Sequence, residues 1–201
     1  MTDLQTWVAP TYDGLADLLA GAPGETWDAA SLCAGWQIRH VVAHVTMPAR
    51  MTPAQFGAEM AAAGGDFTVL SNSVAARGAS LPRPELLDQL RSEALRSWQP
   101  PGGGEAGALS HCVIHSLDVT VALGKPTVAP SEAVHAVLDL LTASGGSWFG
   151  VDLTGVRLEA SDSDWSHGEG EPVRADSGSL VSLLASRTLP DGRALPRSRP
   201  V

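Results

Sequence analysis

Cysteine is scarce in this chain of 201 residues: Cys33 and Cys112 are the only two, too few for a disulfide framework to hold the fold. Both stand in apolar settings and read as small buried hydrophobes. Lysine is nearly absent, with Lys125 alone beside twelve arginines, and the 13 basic residues face 22 acidic ones for a formal net charge of −9. That balance leaves no broad basic surface to neutralise phosphates, so sequence-independent binding of nucleic acid is disfavoured. No run approaches the roughly 18–20 apolar residues that cross a bilayer, and the opening MTDLQTWVAPTYDGL lacks the basic-then-apolar layout of a secretory signal. A cytoplasmic location with no membrane partner is the expectation. Several catalytic signatures are missing as well. The glycine runs at 102–104 and 145–146 lead into no Gly-Lys-Ser/Thr, no GxGxxG follows a strand, and there is no GxSxG elbow.

What is present is 44% hydrophobic residues, enough to bury a core in a domain of ordinary size. Apolar residues at three- and four-residue steps predict helices over 7–20, 36–47, 54–63, 67–76, 85–98, 105–123 and 132–142, punctuated by Gly21, Pro23, Pro48, Pro82, Pro84, the run Pro100 to Gly104, and Gly124 with Pro126. Beyond Gly145 the texture changes. Val156 to Ala160 alternates with period two, Asp164 to Ser166 and Val173-Arg174 are short strand candidates, and 180–186 reads as a last helix. The fold class expected is mainly α, a four-helix bundle with a small C-terminal β/α appendage. The division would be a helical metal-binding domain over 1–148, a short α/β segment over 149–190, and a flexible Pro- and Arg-rich tail over 191–201.

Four of the six histidines form two i, i+4 pairs, His40 with His44 and His111 with His115. Four helical steps advance about 400°, so each pair points to nearly one side of its helix and could share one ion. Val41 and Cys112 follow the first histidine of each pair, so neither is the HExxH of a zinc protease. On the later helix His111, His115 and Asp118 fall within roughly 60° of arc beside the apolar stripe of Val113, Ile114, Leu117 and Val121. On the earlier one His44 lies nearer the apolar stripe than His40 does, with about 40° between the two histidines. Catalytic zinc usually takes three protein ligands and leaves a position open, and His44, His111 and His115 would satisfy that count. The blander account is that these are solvated or hydrogen-bonded helix histidines, as most single histidines are. Cys112 lies off the histidine edge and reads as a packed thiol; the six tryptophans read as core and lid residues.

The segment from Trp27, with Cys33-Ala34-Gly35-Trp36 leading into Arg39-His40-Val41-Val42-Ala43-His44-Val45, resembles the W, C-x-G-W and V-R-D-V-V-A-H-L signature of the DinB-like, mycothiol-dependent maleylpyruvate isomerase family. His115 to Val119 with Leu123-Gly124 is similar to that family's H-x-x-D-I and L-G helix. The stretch 156–187 is similar to its C-terminal W-S-x-G-x-G, V-R and L-L-x-x-R segment. The resemblance implies a bundle of up-down-down-up type holding a divalent metal, zinc first and nickel as the alternate, with His44 and His115 in ligand positions. His111 stands where the family carries glutamate, and His40 where it often carries aspartate. The family's C-terminal arginine, which helps hold an acidic substrate, falls by motif at Arg187, in a segment expected to be shorter than in full-length isomerases.

By that resemblance the function is a metal-dependent isomerase or S-transferase using a low-molecular-weight thiol, mycothiol, on a small electrophile such as a maleylpyruvate-like unsaturated acid. Asp118, His40 and Arg39 are the expected supporting or substrate-contacting residues, and Arg187 or Arg39 would pair with a carboxylate. A thiol-independent metal hydrolase on the same bundle and a non-catalytic metal-binding module of stress or detoxification remain the alternatives. A homodimer through an apolar helical face is compatible with the sequence.

Overall fold

The computed structural model describes residues 3–198. Its helices are α1 (Val8–Ala20), α2 (Ile38–Val45), α3 (Pro53–Ala62), α4 (Phe67–Gly78), α5 (Arg83–Leu90), α6 (Glu93–Arg96), α7 (Gly104–Thr120), α8 (Ser131–Ala143) and α9 (Ser177–Leu184), with strands β1 (Val156–Ala160), β2 (Ser166–His167) and β3 (Glu171–Ala175) between α8 and α9. The chain is mainly helical with a small β/α unit at its C-terminal end. No described helix is long and apolar enough to cross a membrane.

Helix α7 is the centre. It packs against α1, α2, α8 and α9, and most of its residues are buried on all sides, including Leu109, Val113, Leu117 and Val119. A helix enclosed in this way cannot have a simple two-faced pattern, because neighbours cover its whole circumference. The polar groups it carries inward, among them Ser116 and Asp118, must then find partners inside the protein. Ser116 donates to the carbonyl of Val113, and Asp118 finds several partners described below.

The long helix predicted over 85–98 is two helices. Ser92 interrupts it by acting as an N-cap, its hydroxyl accepting from Leu95 N, which favours a fresh start at Glu93 over continuation. Helices α3 and α4 begin on cleaner signals. Thr52 and Gln55 form a capping box with Pro53 at the first helical position, and Asp66 accepts from the amides of Thr68 and Val69. Met47, Leu70 and Val74, with Met51, Phe56 and Met60 against them, make a small apolar cluster separate from the main core.

The sheet has the order β2-β1-β3. β1 pairs antiparallel with β2 through Leu158 and His167, and parallel with β3 through Leu158 and Val173. A parallel pair usually needs a helical crossover, whereas here the chain returns through β2 and a tight glycine turn. Gly170 has φ +129°, and a Cβ there would overlap the carbonyl oxygen of Gly155. The unit is fastened to α8 by polar contacts. Trp165 Nε1 donates to Asp139 (2.9 Å), and His135 Nε2 lies 3.0 Å from Ser163 Oγ. A single apolar core runs from Val8 through Leu117 and Leu158 to Leu184 and Leu195.

The flexible tail expected from residue 191 is not what the structure has up to residue 198. Asp152 N donates to Pro196 O and Ser198 N to Gly150 O, Arg197 bridges to Val151, and Leu195 is buried. These pairings satisfy backbone groups that a frayed segment would leave to water. Residues 199–201 of that expected tail lie outside the described residues.

The glycine turn gives a direct test. Gly170→Ala should destabilise the protein by about 1–3 kcal/mol in urea unfolding, since it adds overlap to an unfavourable backbone angle. Gly192→Ala, at φ +87° but in open space, should cost about 1 kcal/mol.

Candidate metal centre

Three histidine rings meet where α2 and α7 cross. The ring centroids of His44 and His111 are 5.2 Å apart, and His115 lies 4.8 Å from each. One nitrogen from every ring lies within 4.8 Å of the other two. His44 Nε2 and His111 Nε2 are separated by 3.2 Å, a hydrogen-bond length that is also close to the roughly 3.3 Å between two ligands of one tetrahedral zinc. The i, i+4 spacing puts His111 and His115 one turn apart on α7, and α2 brings His44 to face them.

The supporting hydrogen bonds decide which nitrogens are free. His115 Nδ1 lies 2.9 Å from Asp118 Oδ2; an ionised carboxylate only accepts, so the proton sits on Nδ1 and the Nε2 lone pair is left for another partner. His111 Nδ1 lies 3.2 Å from the hydroxyl of Tyr12 on α1. His44 Nδ1 is buried with no hydrogen-bond partner. That atom points away from His111, since it is Nε2 of His44 that faces the cluster; the fit to a divalent cation rests on the convergence of one nitrogen from each of the three rings. The donor set suits zinc or nickel among the ions that favour imidazole.

Asp118 is 1% exposed. Arg187, just beyond α9, donates to it through Nε at 2.7 Å and Nη2 at 3.0 Å, a two-point guanidinium–carboxylate pair. The Cys33 thiol donates to Asp118 Oδ2 at 3.0 Å, and Arg187 Nη2 lies 3.4 Å from the same sulfur. Burial pushes the Asp118 carboxyl up, but the hydrogen bonds from His115 and Arg187 outweigh it and hold the group well below the usual carboxylate range. Arg187 loses from burial and gains more from Asp118, so its cation is held more firmly than usual. Burial, then the neighbouring Asp118 charge, pushes the Cys33 thiol up. Burial and the neighbouring His115 lower His44 to about 3 and place His111 well below the ordinary histidine value. Both rings are therefore neutral at neutral pH, the form a metal needs.

The histidines and Arg187 line a cavity of about 810 Å³. Its wall is formed by the loop 98–103, the apolar cluster under α3 and α4, and the aromatic pair Trp148 and Phe149. The loop lies tight against α7 because Gly107 has no side chain; a Cβ there would come within 2.6 Å of Pro100 Cγ.

Of the residues singled out in the sequence, His44, His111, His115, Asp118 and Arg187 are brought together. Arg39 and His40 are not part of this cluster or of the cavity wall. Arg39 pairs with Asp28 at 3.2 Å, and His40 Nδ1 accepts from Gln37 N to cap α2. The structure therefore does not bring these two residues, expected in a substrate or supporting role, to the histidine cluster. Tyr12 and Cys33 were missed as site residues, since the hydroxyl and thiol reach partners 99 and 85 residues away. Cys112 is the packed thiol expected, donating to Leu109 O, with burial pushing it up to about 12.

Two outcomes follow from this electrostatic arrangement. Asp118→Asn should weaken cobalt or zinc uptake by about 10–100-fold, because a neutral amide no longer fixes His115 Nδ1–H. The metal-free protein should also lose stability on acidification from pH 6.5 towards 3. In that window unfolded histidines take up protons that folded His44 and His111 resist, so stability rises with pH. Thermal unfolding at pH 7.5, 6 and 5 measures this, and replacing His44 by Gln should flatten the slope.

Residues 8–98 match the family described as mycothiol maleylpyruvate isomerase N-terminal domain. The crystal structure of a mycothiol-dependent maleylpyruvate isomerase aligns at 17% identity with a TM-score of 0.53, covering 98% of this chain and 95% of that one. The crystal structure of its histidine-to-alanine variant aligns at 16% identity with a TM-score of 0.55 and the same coverage. No curated protein matches. At that identity the two structures establish a shared fold. Residues 8–98 thus resemble the mycothiol maleylpyruvate isomerase N-terminal domain, and along almost its full length the chain shares the fold of a mycothiol-dependent maleylpyruvate isomerase.

Proposed function

We propose that this protein is an isomerase or S-transferase that uses a low-molecular-weight thiol, mycothiol by resemblance, on a small electrophile, with a divalent cation held by His44, His111 and His115. The observation that carries the reading is the convergence of three imidazoles on one wall of a cavity of about 810 Å³. That volume is in the upper part of the range for small-molecule sites, which supports a site for a thiol and a second substrate together. A cation bound there supplies positive charge that favours a thiolate over a thiol.

The chain's own residues have three tasks in this scheme. Asp118 and Tyr12 hold the rings of His115 and His111 in orientation, so their free nitrogens need not reorganise. Arg187 keeps Asp118 ionised in a buried setting. Trp98, Met47 and Phe56 shield the cavity from water, limiting hydrolysis of a reactive electrophile. Sulfur adds to one alkene carbon while the π pair moves into the conjugated carbonyl. If the cavity lets the adduct turn about the former double bond and the pair then expels the thiolate, isomerisation results. If a proton is captured at carbon, the conjugate remains.

The test is elemental analysis of protein purified without chelator, paired with turnover assays with and without mycothiol. About one divalent ion per chain is expected, lost in His44→Ala and His115→Ala, together with turnover only when thiol is present. Turnover that ignores thiol would favour the hydrolase reading. Tight metal binding with no turnover on any electrophile would favour a non-catalytic module.

A further inference from the structure

The cavity wall says something about the substrate beyond its being an electrophile. Among the described residues no aspartate, glutamate or lysine lines it, and Arg187 is the single permanently charged group there. That guanidinium is already committed. Nε and Nη2 grip Asp118, Nη2 also meets Cys33 Sγ, and Nη1 donates to Ala185 O at 3.2 Å. One of its five N–H groups is left, and its charge is matched by a buried carboxylate. A dicarboxylate entering this wall would lose hydration without gaining a free cationic partner, which is a heavy cost in an apolar site. The charge a metal would bring lies at the three histidines, where the thiol sulfur requires it.

Apart from the uncharged polar residues Thr52, Gln99 and Ser110, the remainder of the wall is apolar. Met51, Phe56, Trp98 and Ile114 line it, and Phe67 and Trp148 are also part of it while 52% and 53% exposed. Large rings left half in water beside a cavity gain most when an apolar body covers them. We infer that the electrophile of this site is uncharged and carries an apolar body of aromatic size, rather than being a small dicarboxylate. This rests on the thiol-dependent reading above and specifies its second substrate.

The test measures binding separately from turnover. Isothermal titration calorimetry on the full-length protein, both zinc-supplemented and chelator-treated, would compare benzylideneacetone, a neutral aryl enone, with maleate. Benzylideneacetone should bind at least about tenfold more tightly in both forms, as an apolar ring entering an apolar wall does. Phe67→Ser and Trp148→Ser should each weaken it by about fivefold or more. Both side chains are largely exposed, so circular dichroism and Tm should stay unchanged. Equal or tighter binding of maleate, no binding of the enone, or unchanged enone affinity in both variants would overturn the inference. Thiol dependence is read independently, from loss of the enone absorbance with mycothiol. If the enone binds with the expected preference but is not consumed, the thiol-dependent reading falls while the assignment of an apolar ligand stands.

Discussion

The carboxylate of Asp118 is the constraint on which the site depends. Buried on the central helix, it accepts from His115, from two nitrogens of Arg187 and from the thiol of Cys33, while its backbone carbonyl accepts from Leu32 N at 3.0 Å. One side chain thus joins α7, the connection between α1 and α2, and the segment after α9. A buried carboxylate is tolerable only when it is paired and its lone pairs are satisfied. Here the pairing is complete, and the surplus of order it provides is spent on the orientation of one imidazole.

The electrostatic logic is local throughout. Asp118 and Arg187 cancel as a pair, and the lowered values of His44 and His111 keep two rings neutral within the same few ångströms. Neither that ion pair nor those two rings adds net charge to the cluster. A divalent cation held by three imidazoles would have no charge from those ligands to compensate it. Carboxylate ligation at the His111 position would remove one unit of the cation's charge. Such a cation, if bound beside an apolar wall, would favour an anionic ligand, since charges attract more strongly where water is excluded.

Local periodicity made part of this arrangement legible. The i, i+4 step marks His111 and His115 as neighbours, and the angular arithmetic puts Asp118 on the same edge. The alternation of Val156 to Ala160 coincides with β1. What could not be read is what depends on distant segments meeting. Tyr12 lies in an ordinary amphipathic helix, and nothing in its neighbourhood distinguishes a tyrosine that meets a histidine from one that fills the core. Cys33 has the composition of a buried hydrophobe and becomes part of a polar network only because Arg187 arrives from the other end of the chain. The split at Ser92 was missed because a helical stripe of leucines continues across it, and capping is a competition between local hydrogen bonds that hydrophobic spacing does not register.

The division of the site along the chain has a consequence for how the fold and the chemistry are coupled. The family-matched residues 8–98 contribute His44, Tyr12 and Cys33; α7 contributes His111, His115 and Asp118; the C-terminal unit contributes Arg187. That last residue stays in place because Leu180, Val181, Leu183 and Leu184 of α9 are buried in the same core as α7. The strands matter to the site in an indirect way: Leu158 and Ala175 belong to that core, and α9 follows directly from β3. A bundle without this unit would retain three histidines but leave Asp118 buried with no cation beside it. A carboxyl in that position is driven towards its protonated form, and a protonated carboxyl has a hydrogen of its own to place and accepts from His115 Nδ1 less strongly. The small β/α unit therefore belongs to the site as a condition of its geometry, although none of its strands touches a histidine of the cluster.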